Sequence, residues 1–141
     1  MNKKYEVTSL ILRLILGITF FVHGLSKFQD GISNIAAWFD SIGLMGSLAY
    51  VIAIIEVAGG IAMILGIGTR LVSILFALVM IGAIFTVKIS VGFMGNGQMA
   101  GYEFDLALLV MAIHLAVNGS RLWSFDSMLR KNENNETFIS G

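Results

Sequence analysis

The segment "SLILRLILGITFFVHGLSKF", residues Ser9–Phe28, decides the class of fold. It is almost entirely apolar and has about the 20 residues that an α-helix needs to cross a bilayer. It nevertheless carries Arg13, His23 and Lys27, and the last two are one helical turn apart. A charge at mid-membrane costs about 3 kcal/mol, so ionisable residues in such a segment indicate a functional site.

The composition of the whole chain is that of a membrane protein. Of its 141 residues, 57% are hydrophobic and 13% are charged, against about 25% charged in a typical soluble domain. The formal net charge is zero, so no overall positive charge favours nucleic acid as a partner. The absence of cysteine excludes disulfides, a thiolate nucleophile and cysteine-ligated clusters. Any redox role therefore depends on a bound cofactor, a partner protein or a diffusible substrate.

Four apolar runs predict an all-α, integral membrane four-helix bundle. The predicted spans are Ser9–Phe28, Leu44–Leu65, Leu71–Val91 and Tyr102–Asn118. Four spans leave both termini on one side, and seven of the nine basic residues then fall on that side. Because cytoplasmic loops are rich in lysine and arginine, we predict an N-in/C-in, multi-pass protein of the cell membrane. The transmembrane domain is expected over residues 1–126, and a solvated cytoplasmic tail over residues 127–141.

The link between the first two predicted spans has apolar residues at helical spacing. These residues are Ile32, Ile35, Phe39 and Ile42, with Trp38 alongside. The pattern fits a short amphipathic helix at the membrane interface, and it also fits an ordered loop with an aromatic anchor. The later link "GFMGNGQMAG", residues 92–101, predicts a compact glycine-rich loop.

Several ionisable side chains fall at similar depths in the predicted helices, in the outer third or just below it. They are His23, Lys27, Glu56, Lys88, Glu103 and Asp105. Opposite charges attract strongly in a medium of low dielectric constant, and unpaired charges would be expelled from it. We therefore predict a polar pocket within the bundle, open toward the outer leaflet. An acid of the second or fourth span should reach His23 or Lys27 directly or through one water.

Most of the ionisable residues in the predicted spans, including two that lie deeper, also have a plainer interpretation. The lysines can extend their ammonium groups to the outer interface, and Asp105 can complement the dipole of its helix. His114, on an apolar stripe, fits a histidine whose hydrogen bonds are satisfied in the core. Arg13 fits a headgroup anchor or a partner for the C-terminal segment. Glu56 is the hardest to explain in this way, because it lies near mid-span.

Five stretches resemble the DoxX family of small four-helix membrane proteins. They are "RLILGITFFVHGLSKF", "IEVAGGIAMILGIGTR", "MIGAIFTVK", "GYEFDLALL" and "NGSRLWSFD". The resemblance runs from Leu12 to Asp126 and is nearest to the branch called CatD-like. It implies an oxidoreductase linked to quinones, catechols, sulfur compounds, detoxification or oxidative stress, and it implies no defined cofactor. The motif positions that it carries over are His23, Gly24, Lys27, Glu56, Gly59, Gly60, Arg70, Lys88 and Glu103.

Two classes of function stay open. The first is a membrane oxidoreductase, or a subunit of one with a partner redox enzyme, acting on a quinone or catechol-like compound; a quinone is also the candidate cofactor. Such a flat ring needs an apolar slot reachable from lipid and a donor at each oxygen. The predicted catalytic residues are His23, Lys27, Glu56 and Glu103, and the predicted binding residues are Phe20, Gly24, Gly60, Phe85 and Lys88. The second class is a non-catalytic ligand-binding, transport or scaffold subunit. No metal site is predicted, because no two ligands have metal-binding spacing.

Overall fold

The described part of the chain contains six α-helices. The computed structural model describes residues 2–139, with side chains as far as residue 133. In chain order the helices are α1 (Lys3–Gln29), α2 (Ile32–Ser41), α3 (Gly46–Leu65), α4 (Thr69–Ala83), α5 (Glu103–Asn118) and α6 (Phe125–Ile139). A π-helical segment, Ile84–Lys88, directly continues α4. No β-strand of more than an isolated bridge occurs within residues 2–139, so the all-α prediction is confirmed.

Three helices of the described chain are long and apolar enough to cross a membrane. They are α1, α3 and α4 together with its π-helical continuation, and they coincide with the first three predicted spans. α5 has only 16 residues, or about 24 Å at 1.5 Å per residue, against a hydrocarbon core of about 30 Å. The fourth span therefore stays a prediction.

Four helices, α1, α3, α4 and α5, pack around an apolar core. α1 lies along α3 and α4 lies along α5, while α3 also contacts α4 and α1 also contacts α5. The core is formed by Leu16, Phe20, Met63, Val72, Phe76, Met80, Leu108, Ala112 and Leu115. The rings of Phe20 and Phe76 stack with their centroids 3.7 Å apart. Many apolar side chains on the opposite helix faces are exposed, which is the pattern of helices that face lipid.

α1 and α3 approach closely because glycines lie in their contact. A Cβ added to Gly24 would lie 2.8 Å from the Cβ of Glu56 and 2.9 Å from the backbone nitrogen of Val57. A Cβ added to Gly60 would lie 2.7 Å from the backbone nitrogen of Phe21. Neither position has room for a side chain unless the helices move apart.

The two predicted links fold as compact elements. The first forms α2, so the helix prediction is confirmed, and Phe39 is its buried residue. In the second, the side-chain oxygen of Asn96 accepts hydrogen bonds from the backbone of Gln98 and Met99. The backbone nitrogen of Glu103 then donates to the carbonyl of Phe93 at 3.1 Å, which brings the two ends of this loop together.

The end of the molecule opposite α2 is held by the turn between α3 and α4. Gly66 ends α3 in the left-handed conformation, at φ 73°, which glycine adopts without steric cost. The carboxylate of Asp126 accepts a hydrogen bond of 2.8 Å from the backbone nitrogen of Gly68. The start of α6 is thereby attached to the start of α4.

Arg13 is buried at the same end and binds the segment between α5 and α6. Its guanidinium donates to the carbonyls of Ser120, Leu122 and Trp123 at 3.3, 3.2 and 2.8 Å, and to the Ser120 hydroxyl at 3.3 Å. Of the two predicted roles of Arg13, pairing with the C-terminal segment is confirmed. The predicted tail from residue 127 is helical as far as Ile139, and residues 140 and 141 lie outside the described range.

Candidate functional site

A cavity of about 520 Å³ lies among the helices at the end of the molecule that carries α2. This volume is within the usual range for small-molecule sites, about 300–1,000 Å³. Its walls are mostly apolar and come from every helix except α6; among them are Phe20, Phe39, Ile52, Ile55, Val79 and Leu108. The polar members are Thr19, His23, Lys27, Glu56, Thr86, Lys88 and Asp105.

Lys27 and Glu56 form the first ion pair of the cavity. The ammonium nitrogen of Lys27 lies 2.5 Å from Oε2 of Glu56 and donates a hydrogen bond to it. The Glu56 side chain is 5% exposed and that of Lys27 is 25% exposed. Lys27 lies one turn beyond Gly24, where the close helix contact brings α1 against α3. The prediction that an acid of the second or fourth span reaches His23 or Lys27 is confirmed by this pair.

Lys88 and Asp105 form a second pair. The ammonium nitrogen of Lys88, at the end of the π-helical segment, lies 2.8 Å from Oδ2 of the buried Asp105 in the first turn of α5. This contact lacks hydrogen-bond geometry, and no other donor in residues 2–133 is aligned with that buried oxygen. The pair is therefore a charge contact without an aligned hydrogen bond.

His23 also lines the cavity and interacts electrostatically with Glu56. Its ring lies 5.9 Å from that of Phe104, centroid to centroid and tilted by 37°. The other histidine, His114, lies away from the cavity: its Nε2 is 3.2 Å from the hydroxyl of Ser9, and Asn118 donates to its carbonyl. His114 is thus the hydrogen-bonded core histidine of the plainer interpretation.

Two residues predicted for the pocket lie elsewhere. Phe85 is 67% exposed on the outside of the π-helical segment, so the prediction that it lines the cavity is wrong. The hydrogen bonding there is that of a π-helix, with the backbone nitrogen of Ile89 donating to the carbonyl of Ile84 at 2.7 Å. Thr86, Val87 and Lys88 of this segment line the cavity instead. Glu103 is also exposed, at the start of α5, and Asp105 occupies the acidic position in the cavity instead.

The glycines assigned to binding have a packing role in the structure. Gly24 and Gly60 lie in the contact between α1 and α3 and not in the cavity wall. Gly59 lies against the ring of Phe76 on α4. Trp38, which the sequence indicated as an interface anchor, lines the cavity from α2 and was not predicted as a site residue. Its aromatic character next to the amphipathic stripe was the signal that could have identified it.

Taken together, one cavity contains two ammonium groups, two carboxylates and an imidazole in an otherwise apolar surrounding. Ammonium groups donate hydrogen bonds, and carboxylates accept them or take up protons. Within the described residues, no group of three or more histidine and acidic side chains is placed to hold a metal ion. The donor set fits a ligand that has polar atoms on an otherwise apolar body.

Comparison with known proteins identifies the family of this chain. The model of the DoxX family matches residues 8–89, more than half of the chain. The chain belongs to the DoxX family. The part that matches the DoxX model contains both members of the Lys27–Glu56 pair and also Lys88, whereas Asp105 follows it along the chain.

This DoxX protein is similar in sequence to two proteins over most of its length. The chain is 51% identical over 135 residues to the Bacillus subtilis protein named "Putative oxidoreductase CatD", and the match covers 96% of each chain. It is 28% identical over 130 residues to the "Uncharacterized membrane protein Rv3486" of Mycobacterium tuberculosis, with 85% of this chain and 80% of that one covered. No solved structure gives a significant match. Family and long apolar helices together place this DoxX protein in a lipid bilayer.

Proposed function

We propose that this DoxX protein binds the ring of a quinone or catechol-like compound in its cavity and takes part in the oxidation or reduction of that ring. The observation that carries the proposal is the presence of two lysine–acid pairs in one otherwise apolar cavity. The name of the Bacillus subtilis relative supports an oxidoreductase-like role in general. The assignment of a quinone or catechol-like ring as the ligand goes beyond that name and is our own.

The two pairs suit a ring that has an oxygen at each of two positions. An ammonium group has three N–H donors, so Lys27 can bind Glu56 and still donate to a ring oxygen. Lys88 has no aligned hydrogen bond to Asp105 and can donate in the same way. The aromatic side chains of Phe20 and Trp38 in the cavity wall offer apolar surface to the ring faces.

The acids of the pairs are suited to proton transfer. Reduction of a quinone to a quinol adds two electrons and two protons, and oxidation of a catechol removes them. Glu56 and Asp105 are the carboxylates of the cavity that can give up or take up protons, and each lies beside an ammonium group. In this proposal the electrons for reduction come from a partner redox enzyme or a diffusible reductant, and the electrons released on oxidation pass to a partner redox enzyme that accepts them.

The orientation of the site follows from the predicted topology. We propose that α5, although short, is the fourth span and that both termini are cytoplasmic, as the distribution of basic residues favours. The α2 end of the molecule, with the cavity, then lies in the outer half of the cell membrane. Detoxification of reactive ring compounds near that surface is the physiological role that fits.

Tryptophan fluorescence tests binding directly. Trp38 lines the cavity, whereas Trp123, the second of the two tryptophans, is 80% exposed near the opposite end. In a Trp123→Phe variant in detergent, menadione and catechol should quench Trp38 with a saturable curve. The matched Trp38→Phe variant should show only weak, linear quenching. A linear curve in both variants would refute ring binding.

The lysines should account for part of the affinity. A hydrogen bond to a charged group contributes about 1.5–3 kcal/mol, so Lys88→Met should weaken menadione binding by about tenfold or more. Arg70→Gln, outside the cavity, should leave it unchanged. Equal affinities of the two variants would show that the ring oxygens are not bound by Lys88.

A non-catalytic role also has an observation in its favour. The pairs connect α1 to α3 and the π-helical segment to α5, so they also hold helices in register. Saturable quenching together with no redox turnover in membranes, even with added reductants, would favour a binding or scaffold subunit. Reduction of menadione that is lost in Glu56→Gln without loss of binding would favour catalysis.

A further inference from the structure

We infer that the cavity opens sideways into the lipid between α3 and α4, and that its ligand carries an apolar chain that lies in this opening. The opening, here the α3–α4 cleft, is lined by Leu48 and Val51 of α3 and by Leu78 and Gly82 of α4. The inference narrows the ligand class of the proposed function and rests on it for the ring end.

The first observation is the way in which α3 and α4 separate. Near their shared turn they are in contact, since a Cβ on Gly59 would lie 2.8 Å from the ring of Phe76 and 3.2 Å from Val72. Farther along, both helices line the cavity, from Ile55 back to Leu48 on α3 and from Leu75 onward on α4. The seven residues of helical rise from Leu48 to Ile55 correspond to roughly 10 Å of cleft.

The second observation is the exposure of the cleft residues. Leu48, Val51 and Leu78 line the cavity and are also 39%, 50% and 60% exposed on the surface of the molecule. At Gly82 an added Cβ would meet no atom within 4 Å. A residue that both lines a cavity and faces outward lies at an opening of the cavity. Trp38 and Phe104 also meet this criterion, and the α3–α4 cleft is the opening between two long apolar helices. Because α3 and α4 are long apolar helices, this opening faces hydrocarbon.

The third observation is the separation of polar and apolar surface. The four cleft residues are apolar. Three of the ion-pair residues lie on α1, the π-helical segment and α5, and the fourth, Glu56, lies on α3 but is buried. A small polar ring alone would leave the cleft to lipid chains. A ring that carries a long apolar chain fills both parts and reaches the cavity without leaving the bilayer. An isoprenoid quinone has this shape, and a free catechol does not.

The test compares two probes in nanodiscs, using Trp38 fluorescence in the Trp123→Phe background. The probes are menadione, which has no tail, and geranylgeranyl menaquinone, and concentrations are expressed per lipid to correct for partitioning. Gly82→Phe adds a side chain in the cleft where the structure has space. Ile81→Phe adds the same ring to the neighbouring residue, which lies outside the cavity wall.

We expect the tailed quinone to bind about tenfold more tightly than menadione, because apolar surface of the tail is buried. Gly82→Phe should remove this advantage and change menadione affinity less than threefold, and Ile81→Phe should change neither. Equal binding of both probes, or equal effects of the two variants on the tailed quinone, would overturn the cleft and leave ring binding intact. Failure of both probes to bind the parent protein would overturn the proposed function, and the inference with it.

A second pair of variants covers the case in which Gly82→Phe does not fold. The chain has no cysteine, so Leu78→Cys can be labelled specifically with a bulky thiosulfonate after folding. Ile74→Cys, one turn away and also exposed but outside the cavity wall, is the matched control. Labelling at residue 78 should abolish the tail-dependent gain in affinity, and labelling at residue 74 should not. The same affinity after both labels would overturn the inference.

Discussion

Removal of the Glu56 carboxylate should destabilise the protein strongly as long as Lys27 stays in place. In Glu56→Ala the ammonium group loses its partner in a largely buried position, and a small void is left. In Glu56→Gln the amide oxygen can still accept a hydrogen bond from Lys27, so the loss should be smaller. In a Lys27→Met/Glu56→Leu double variant both charges are replaced by apolar groups of similar volume.

The geometry of the pair sets the expected magnitudes. At an effective dielectric constant of about 20, two charges separated by the observed 2.5 Å attract each other by about 7 kcal/mol. The cost of desolvating both ions offsets much of this, and removing one partner of a buried pair costs about 3–5 kcal/mol. Because the Lys27 side chain is 25% exposed, we expect about 3 kcal/mol for Glu56→Ala and about half of that for Glu56→Gln. The double variant should lie within about 1 kcal/mol of the parent.

The free energy of unfolding can be measured by titration with dodecyl sulfate in mixed micelles, with helix content as the signal. Asp30→Ala, at an exposed acid just after α1, is the matched control and should change stability by less than about 0.5 kcal/mol. If Glu56→Ala behaved like this control, the carboxylate would be solvated and unpaired. If the double variant lost as much stability as Lys27→Met and Glu56→Leu lose together, the reasoning about desolvation would be wrong.

Three further outcomes are expected. Gly24→Ala should cost about 1–3 kcal/mol in the same titration by pushing α1 away from α3, whereas Gly82→Ala, with open space at its Cβ, should be neutral; equal effects would contradict the close contact. Arg13→Lys should expose the segment before α6 to proteolysis, because one ammonium group cannot replace the guanidinium at four acceptors; an unchanged digestion pattern would count against this anchor. A reporter fused to the C-terminus should be active only in the cytoplasm, and activity outside the cell would reverse the proposed topology.

The positions of α1, α3, α4 and α5 could be predicted from the sequence alone, whereas α6 lies where a solvated tail was predicted. A run such as Ser9–Phe28 has few ways to satisfy its backbone polar groups in lipid except as a helix. The amphipathic spacing of the link before α3 is likewise a local property, and α2 follows from it. The charges also indicated a pocket, because unpaired ions are too costly in a membrane for each to be independent.

Which charges pair was decided by the tertiary structure. Helical spacing assigns each residue to a face of its own helix, but it does not give the distances between helices. The close contact at Gly24 pairs Lys27 with Glu56, and the approach of α5 to the π-helical segment pairs Lys88 with Asp105. Neither choice is encoded in the local pattern of one helix.

The π-helical segment shows the same division most clearly. The π-helical hydrogen bonding from Ile84 to Lys88 is not evident in the apolar run of the sequence, and Phe85, which was predicted to line the pocket, is exposed there. The α3–α4 cleft also has no sequence signal, since Leu48 and Leu78 look like any lipid-facing leucines. The sequence alone determined an all-helical membrane protein with charges that had to meet. The packing of its helices determined where they meet and on which side the cavity opens, because both depend on distances between segments far apart along the chain.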